Sequence, residues 1–228
     1  MKGKLIVIAG TDGSGKGTQT KLLVGRLKKE GYDVEVIDFP QYGHKSAALV
    51  EEHLNGKFGS AEEVGPYVAS IFYACDRYAA SSQMRKWLDE GKIVVSNRYV
   101  SANVGHQGGK IKNIQERNKY LDWLFDLEFN IFGIPKPDKN ILLYMPPEIG
   151  QKLVDQKDLR EYIEDNKKRD IYEENINHLR DAANAYLYAV EKYNWDKIDC
   201  APHGELRTIE DISEEVWEKA IKLIKSDS

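Results

Sequence analysis

The sequence predicts an α/β fold in three layers, a five-stranded parallel sheet with helices on both faces. Two observations carry this prediction. Short apolar runs alternate with segments of helical period along the chain. The first apolar run also ends in a glycine-rich turn, Gly10-Thr11-Asp12-Gly13-Ser14-Gly15-Lys16-Gly17-Thr18, which opens directly into a helical segment. At 228 residues the chain is long enough for one such domain with a full core, spanning 1–228.

Each element is read in order. Lys4–Ala9 is a strand buried on both faces, and Gly17–Glu30 is a helix. Asp33–Asp38 is a second strand, with Val34, Val36 and Ile37 between the Gly31-Tyr32 turn and Pro40. Ser46–Asn55 is helical, with Leu49, Val50 and Leu54 spaced for one face. A long helix runs from about Ala61 to Glu90, started by Ser60 as N-cap and closed by Gly91. Lys92–Ser96 is a short buried strand, and Tyr99–Gly105 a short helix. Asn113–Phe132 is a helix carrying Ile114, Tyr120, Leu121, Leu124, Leu127 and Phe129. Pro135-Lys136-Pro137 breaks the chain before the strand Lys139–Tyr144. Pro147–Val154 begins a helix, and a charge-dense stretch follows. Ile171–Tyr193 is helical, Trp195–Asp199 is the last strand, and Ile209–Ile224 closes the chain.

Composition narrows the function classes. Hydrophobic residues make up 41% and charged residues 31%, as in ordinary globular proteins. The net charge of −4 argues against a nucleic-acid partner. The two cysteines, Cys75 and Cys200, have neither metal nor redox spacing, as expected of reduced thiols in a cytoplasmic protein. Met1-Lys2-Gly3-Lys4, ahead of the first apolar run, is too short for a signal peptide. No apolar run is long enough to span a membrane.

The glycine-rich turn has the layout of a phosphate-binding loop: strand, turn, then lysine at the mouth of a helix. The three inner glycines, Gly13, Gly15 and Gly17, let the backbone curl, so that successive N–H groups point at one anion. The helix N-terminus adds partial positive charge and Lys16 a full one. A nucleoside triphosphate is the expected ligand. Gly17 stands where the general pattern has a hydroxyl, and Thr18 follows one position later. A phosphate acceptor needs a second pocket at the carboxyl ends of the strands. Three segments fall there: Phe39 to Gly43, Phe72 to Arg77, and Asn97 to Gln107.

With the Gly10–Thr18 loop, Phe39-Pro40-Gln41-Tyr42, Tyr73-Ala74-Cys75-Asp76-Arg77, Asn97-Arg98-Tyr99-Val100, Gly133–Asp138 and a basic stretch after the fourth strand, the chain resembles thymidylate kinases from Leu5 through the last strand. The resemblance implies a P-loop kinase fold, transfer of the ATP γ-phosphate to dTMP, Mg²⁺, and a homodimer. It also implies residue roles. Tyr73 stacks on the thymine, with Phe72 the less favoured neighbour, and Pro40 forms the wall near the methyl group. Arg77 donates to a thymine carbonyl, and Asn103 accepts from the ring N3–H. Arg98 grips the acceptor phosphate, with a hydroxyl bond from Tyr42. Asp12 approaches the sugar 3′-OH and, with Thr18, the metal. His106 and Gln107 lie near the sugar. The stretch at about 155–170 is a closing lid, in which Arg160 and one or two of Lys167, Lys168 and Arg169 clamp the migrating phosphoryl group. Asp170 and Tyr172 approach the monophosphate. Lys16, Arg98, Arg160 and Asp12 form the catalytic set.

The chain also departs from the family pattern. Asn97 replaces the usual aspartate before Arg-Tyr and removes a charge near the metal. Ala102 and His106 stand where serine and tyrosine are common. The loop has Gly13 where some members carry arginine, so the lid must supply that charge. A kinase for another nucleotide, and a non-catalytic nucleotide-binding protein, are the alternatives the residues leave open. A GTPase is disfavoured because no N-K-x-D run is present.

Overall fold

The apolar run near the N-terminus forms β1, Lys4–Gly10, at the centre of the sheet. Its side chains alternate between two cores. Ile6 and Ile8 join one cluster, and Leu5, Val7 and Ala9 the other. Burial on both faces is why the strand reads as a continuous apolar run. The computed structural model describes residues 3–155 and 175–226.

The remaining strands are β2, Val34–Asp38, β3, Ile93–Asn97, β4, Lys139–Tyr144, and β5, Asp196–Asp199. All pair in parallel, in the order β2-β3-β1-β4-β5. β1 pairs with β3 on one side and β4 on the other; the chain leaves β1 toward β2 and leaves β3 toward β4, in opposite directions. That arrangement opens a crevice at the carboxyl edge, where ligands bind in open α/β sheets. Register aligns the edge: Asp38 lies opposite Asn97, Ile8 opposite Asn97, and Gly10 opposite Leu143.

Helix α1, Lys16–Lys29, buries Gln19, Thr20, Leu23, Val24 and Leu27 on one stripe and ends in Arg26, Lys28 and Lys29, which complement its dipole. With α8, Ile209–Lys225, it covers one face of the sheet. The other face carries α3, Ala61–Asp89, α4, Val100–His106, α5, Ile114–Phe125, and α7, Ile176–Tyr193. Helix α2, Ala48–Leu54, packs against α3, and α6, Pro147–Asp155, follows β4.

Three expectations need correction. The Ser60 capping box opens α3 as expected, but the helix is broken at Gly65 (φ 70°, ψ 167°). Pro66 disfavours helical backbone at the residue before it, so the regular helix starts at the proline. The helix expected over Asn113–Phe132 is α-helical only to Phe125. Asp126–Ile131 winds as a π-turn, whose extra residue rotates Glu128 into the core at 0% exposure. Leu49 is exposed, and the buried face of α2 is Val50, His53 and Leu54.

His53 lies fully inside, edge-on to Phe72 at 5.8 Å, and burial lowers its pKa from 6.5 to about 4. In the unfolded chain it takes a proton near pH 6.5; in the folded chain only near pH 4. The unfolded state therefore binds more protons between these values, and stability falls as pH drops through that window. Urea midpoints are expected to decline from pH 7 to pH 5, with about 1–2 kcal/mol of the loss due to His53. His53→Gln is expected to flatten that slope; an unchanged slope contradicts the assignment.

Candidate active site

The phosphate loop is held by backbone and by glycine. Thr11 Oγ1 donates to the Met145 carbonyl and accepts from the Met145 N–H, both at 2.8 Å, which ties the loop to the end of β4. Gly13 (φ 75°) and Gly15 (φ 79°) take the left-handed conformation that favours glycine. A Cβ on Gly13 would lie 2.3 Å from the Gly150 carbonyl oxygen, and one on Gly150 would lie 2.2 Å from that of Asp12. Two backbones thus meet with no room for a side chain. Gly15 caps α1 without a side-chain hydrogen bond, so the first helical N–H groups face the loop.

Lys16 is 7% exposed and donates to the Gly10 carbonyl at 3.0 Å and the Thr11 carbonyl at 2.8 Å. Its ammonium is also 3.9 Å from Asp12. Arg98 approaches the same Asp12 oxygen at 3.8 Å from the end of β3. Arg98 has φ 63°, a strained conformation for a residue with a side chain. The strain is held by the Arg98 N–H donating to the Ile8 carbonyl at 3.0 Å and by Ser96 Oγ donating to the Arg98 carbonyl at 2.5 Å. These bonds turn the guanidinium out over the crevice beside the loop.

His106 also faces this centre. With Thr11, Asp12, Pro147, Leu179 and Ala182 it lines a small cavity. It stacks on His178 at 5.7 Å and meets Tyr186 edge-on. Burial keeps both imidazoles neutral, lowering His106 and pushing His178 down to about 3. At the end of β2, Asn97 donates from Nδ2 to both oxygens of Asp38, each at 2.9 Å. Desolvation raises the Asp38 pKa, against the lowering effects of Asn97, Arg98 and Lys16.

The segments expected to line the second pocket lie on the loop after β2, on α3 and on α4. Asp76 accepts from the Gln41 N–H at 2.9 Å and from Ser46 Oγ at 2.6 Å, so it fixes the loop that carries Pro40 and Tyr42. Tyr42, Phe72 and Tyr73 pack around Val50, Leu54 and Ala61. Phe72 is committed to His53 and to Phe58, 5.4 Å away. Asn103 is 2% exposed, and its Nδ2 donates to the Ser70 carbonyl at 3.4 Å, leaving Oδ1 as acceptor. Gln107 is buried, and Gly17 and Thr18 are exposed at the start of α1. Asp76 and Arg77 form no surface ion pair with one another. Arg77 is buried, and its Nε and Nη2 donate to the buried Glu128.

A family model for thymidylate kinase matches residues 8–202. The chain belongs to the thymidylate kinase family. It is 31% identical over 147 residues to a thymidylate kinase of Mycobacterium tuberculosis, across 64% of this chain and 68% of that one. It is 27% identical over 223 residues to the thymidylate kinase of Plasmodium falciparum, across 97% and 91% of the two chains. The structure of thymidylate kinase from Candida albicans shares the fold, with a TM-score of 0.72 at 22% identity, covering 97% of this chain and 93% of that one.

In the thymidylate kinase frame, the structure brings together Gly10–Thr18, Arg98 and His106 around Asp12. It places Tyr73, Arg77 and Asn103 on neighbouring helices. Arg160, Asp170, Tyr172, Lys167, Lys168 and Arg169 lie outside the described residues. Five contributors were not legible as site residues: Asp38, Asp76, Glu128, Gly150 and His178. Asp76 had a signal, being acidic beside Arg77 in a segment expected at the second pocket. Gly150 had one too, as a glycine inside a predicted helix.

Two outcomes follow. Glu128→Ala leaves the Arg77 charge buried without its counter-ion and is expected to lower unfolding free energy by about 3–5 kcal/mol. Denaturant titration checks this, and a loss below about 1 kcal/mol would show that Arg77 relaxes to solvent. Gly150→Ala is expected to weaken binding of a non-hydrolysable ATP analogue by on the order of tenfold or more, with the far-ultraviolet spectrum unchanged. Unchanged affinity in calorimetry would mean that the loop tolerates the displacement.

Proposed function

We infer that this protein is an ATP-dependent thymidylate kinase, which transfers the γ-phosphate of ATP to dTMP to give dTDP. The observation that carries the mechanism is the meeting of Lys16 and Arg98 on Asp12. One cation belongs to the loop suited to ATP, the other to the strand end that faces the acceptor. Asp12 holds the two at the junction of the two nucleotide sites.

Phosphoryl transfer asks chiefly for alignment and for positive charge on the migrating group. The attacking oxygen of the dTMP phosphate is already ionised, so no general base is needed. Lys16 exchanges its loop carbonyls for phosphate oxygens, and the N-terminus of α1 adds its N–H groups. Arg98 holds the acceptor phosphate as a charge-assisted fork, and Tyr42 adds a hydroxyl. Tyr73 stacks on the base, and Pro40 bounds the methyl side. Arg77 donates to the thymine carbonyl through the guanidinium edge that Glu128 leaves open. Asn103 accepts the N3–H through Oδ1. His106 and Gln107 border the sugar. The stretch at about 155–170 closes as a lid on a single domain, with Arg160 on the γ-phosphate and Asp170 and Tyr172 toward dTMP.

The residues that would hold a magnesium ion are Thr18, exposed at the helix start, and the carboxylates of Asp12 and Asp38, which share Lys16 and Arg98 as charged neighbours. The ion would neutralise charge between the phosphates of ATP. We place the enzyme in the cytoplasm. No helix among the described residues is long and apolar enough to cross a membrane. We assign it as a homodimer through α3, whose Tyr67, Val68, Ile71 and Tyr78 form an exposed apolar stripe.

With ATP and Mg²⁺, ADP release is expected to be fastest with dTMP among dTMP, dUMP, dCMP and AMP. Arg98→Ala is expected to lower kcat/KM for dTMP by on the order of a hundredfold. Absence of transfer to every acceptor would leave only a nucleotide-binding role.

A further inference from the structure

We propose that Asp38 is the carboxylate that anchors the nucleotide-bound divalent cation in this chain, and that Asn97 is its positioning residue. The inference rests on the reading of the loop as a metal–ATP site.

Phosphate-loop enzymes hold their metal with an acidic side chain on a strand beside the loop. At the end of β3, next to the loop strand, this chain has Asn97, which carries no charge. The structure places a carboxylate one strand further out. Asp38 and Asn97 are register partners across β2 and β3. The Asn97 amide donates to both Asp38 oxygens at 2.9 Å. Only this orientation is attractive, because Oδ1 turned toward a carboxylate would be repelled. The amide is therefore a bracket that fixes the plane of the Asp38 carboxylate. Each Asp38 oxygen keeps a lone pair for another donor or a cation.

A second observation points to a ligand. Asn97 is 6% exposed, and its Oδ1 is buried without a hydrogen-bond partner. A buried acceptor of this kind calls for a donor. Water bound to a cation is a strong one. The Asn97 amide lies 4.0 Å from where a Cβ on Gly17 would sit. The Asn97 amide that holds Asp38 thus stands against the first turn of α1, at Gly17. Asp38 is accessible from the crevice and within electrostatic reach of Lys16 and Arg98.

Charge logic agrees. A carboxylate beside a triphosphate is repulsive unless a cation lies between them. Asp12 is already engaged by Lys16 and Arg98 at 3.9 and 3.8 Å. No cluster of three or more acidic, histidine or cysteine ligands occurs among the described residues. One carboxylate, a hydroxyl and retained waters suit a magnesium-sized ion that also takes phosphate oxygens, and do not suit an all-protein cage.

The test titrates Mn²⁺ against the full-length protein with a non-hydrolysable ATP analogue and follows free Mn²⁺ by electron paramagnetic resonance. Analogue affinity without metal is measured alongside. Asp38→Asn is expected to weaken Mn²⁺ binding ten- to a hundredfold, with metal-free analogue affinity unchanged or slightly tighter. Exchanging the two groups, Asp38→Asn with Asn97→Asp, is expected to restore Mn²⁺ affinity to within a few-fold of wild type (~3-fold). A wild-type Mn²⁺ midpoint in Asp38→Asn overturns the inference while leaving the metal–ATP reading intact. Indifference of wild-type protein to Mn²⁺ overturns both. Where Asp38→Asn fails to fold, the exchanged pair decides: restored affinity supports the inference and a tenfold loss overturns it.

Discussion

A loop that binds phosphate through backbone N–H groups cannot be shaped by its own side chains, so something outside must hold it. Here that support is the corner between β4 and α6. Thr11 is tied to Met145 by two reciprocal bonds, and Gly13 and Gly150 meet backbone to backbone. The contact requires β1 beside β4, with a glycine at the same height on α6. The sheet order supplies the first, and the position of α6 directly after β4 supplies the second. Once the loop is fixed, Lys16 is confined to its carbonyls, and Asp12 is presented to Arg98.

The second organising feature is a line of charge along the carboxyl edge. Asp38, Arg98, Asp12 and Lys16 alternate in sign across β2, β3 and the loop, with Asn97 joining β3 to Asp38. Such alternation keeps cations close together without ligand, because each is partly neutralised by a carboxylate. In the proposed mechanism, incoming phosphates would replace these carboxylate contacts, with little reorganisation of the protein. The strained backbone of Arg98 belongs to this design. A relaxed conformation at that position would swing the guanidinium away from the loop.

Much of this was legible in the sequence, for identifiable reasons. Strands buried on both faces read as apolar runs, and β4 was placed at its observed bounds. The loop was legible because its glycines and lysine sit at fixed offsets from β1. The π-turn was hidden because Asp126–Ile131 continues the helical period, and nothing local says that Glu128 turns inward. The break in α3 had a signal in Gly65-Pro66 that the strong capping box overshadowed. Asp38 was hidden for a different reason: its meaning depends on β2 lying next to β3, and strand order is set by packing of the whole chain. The basic stretch carrying Arg160 lies outside the described residues, so its role stands on sequence resemblance and on the charge the loop lacks.

The central claim is that one chain holds two nucleotides end to end across Asp12. Calorimetric titration with adenosine and thymidine joined through their 5′ ends by a five-phosphate bridge tests it most directly. The account predicts one molecule bound per chain, on the order of a hundredfold tighter than dTMP alone, with both ATP and dTMP excluded. Two molecules per chain, or an affinity no better than that of dTMP, would contradict it.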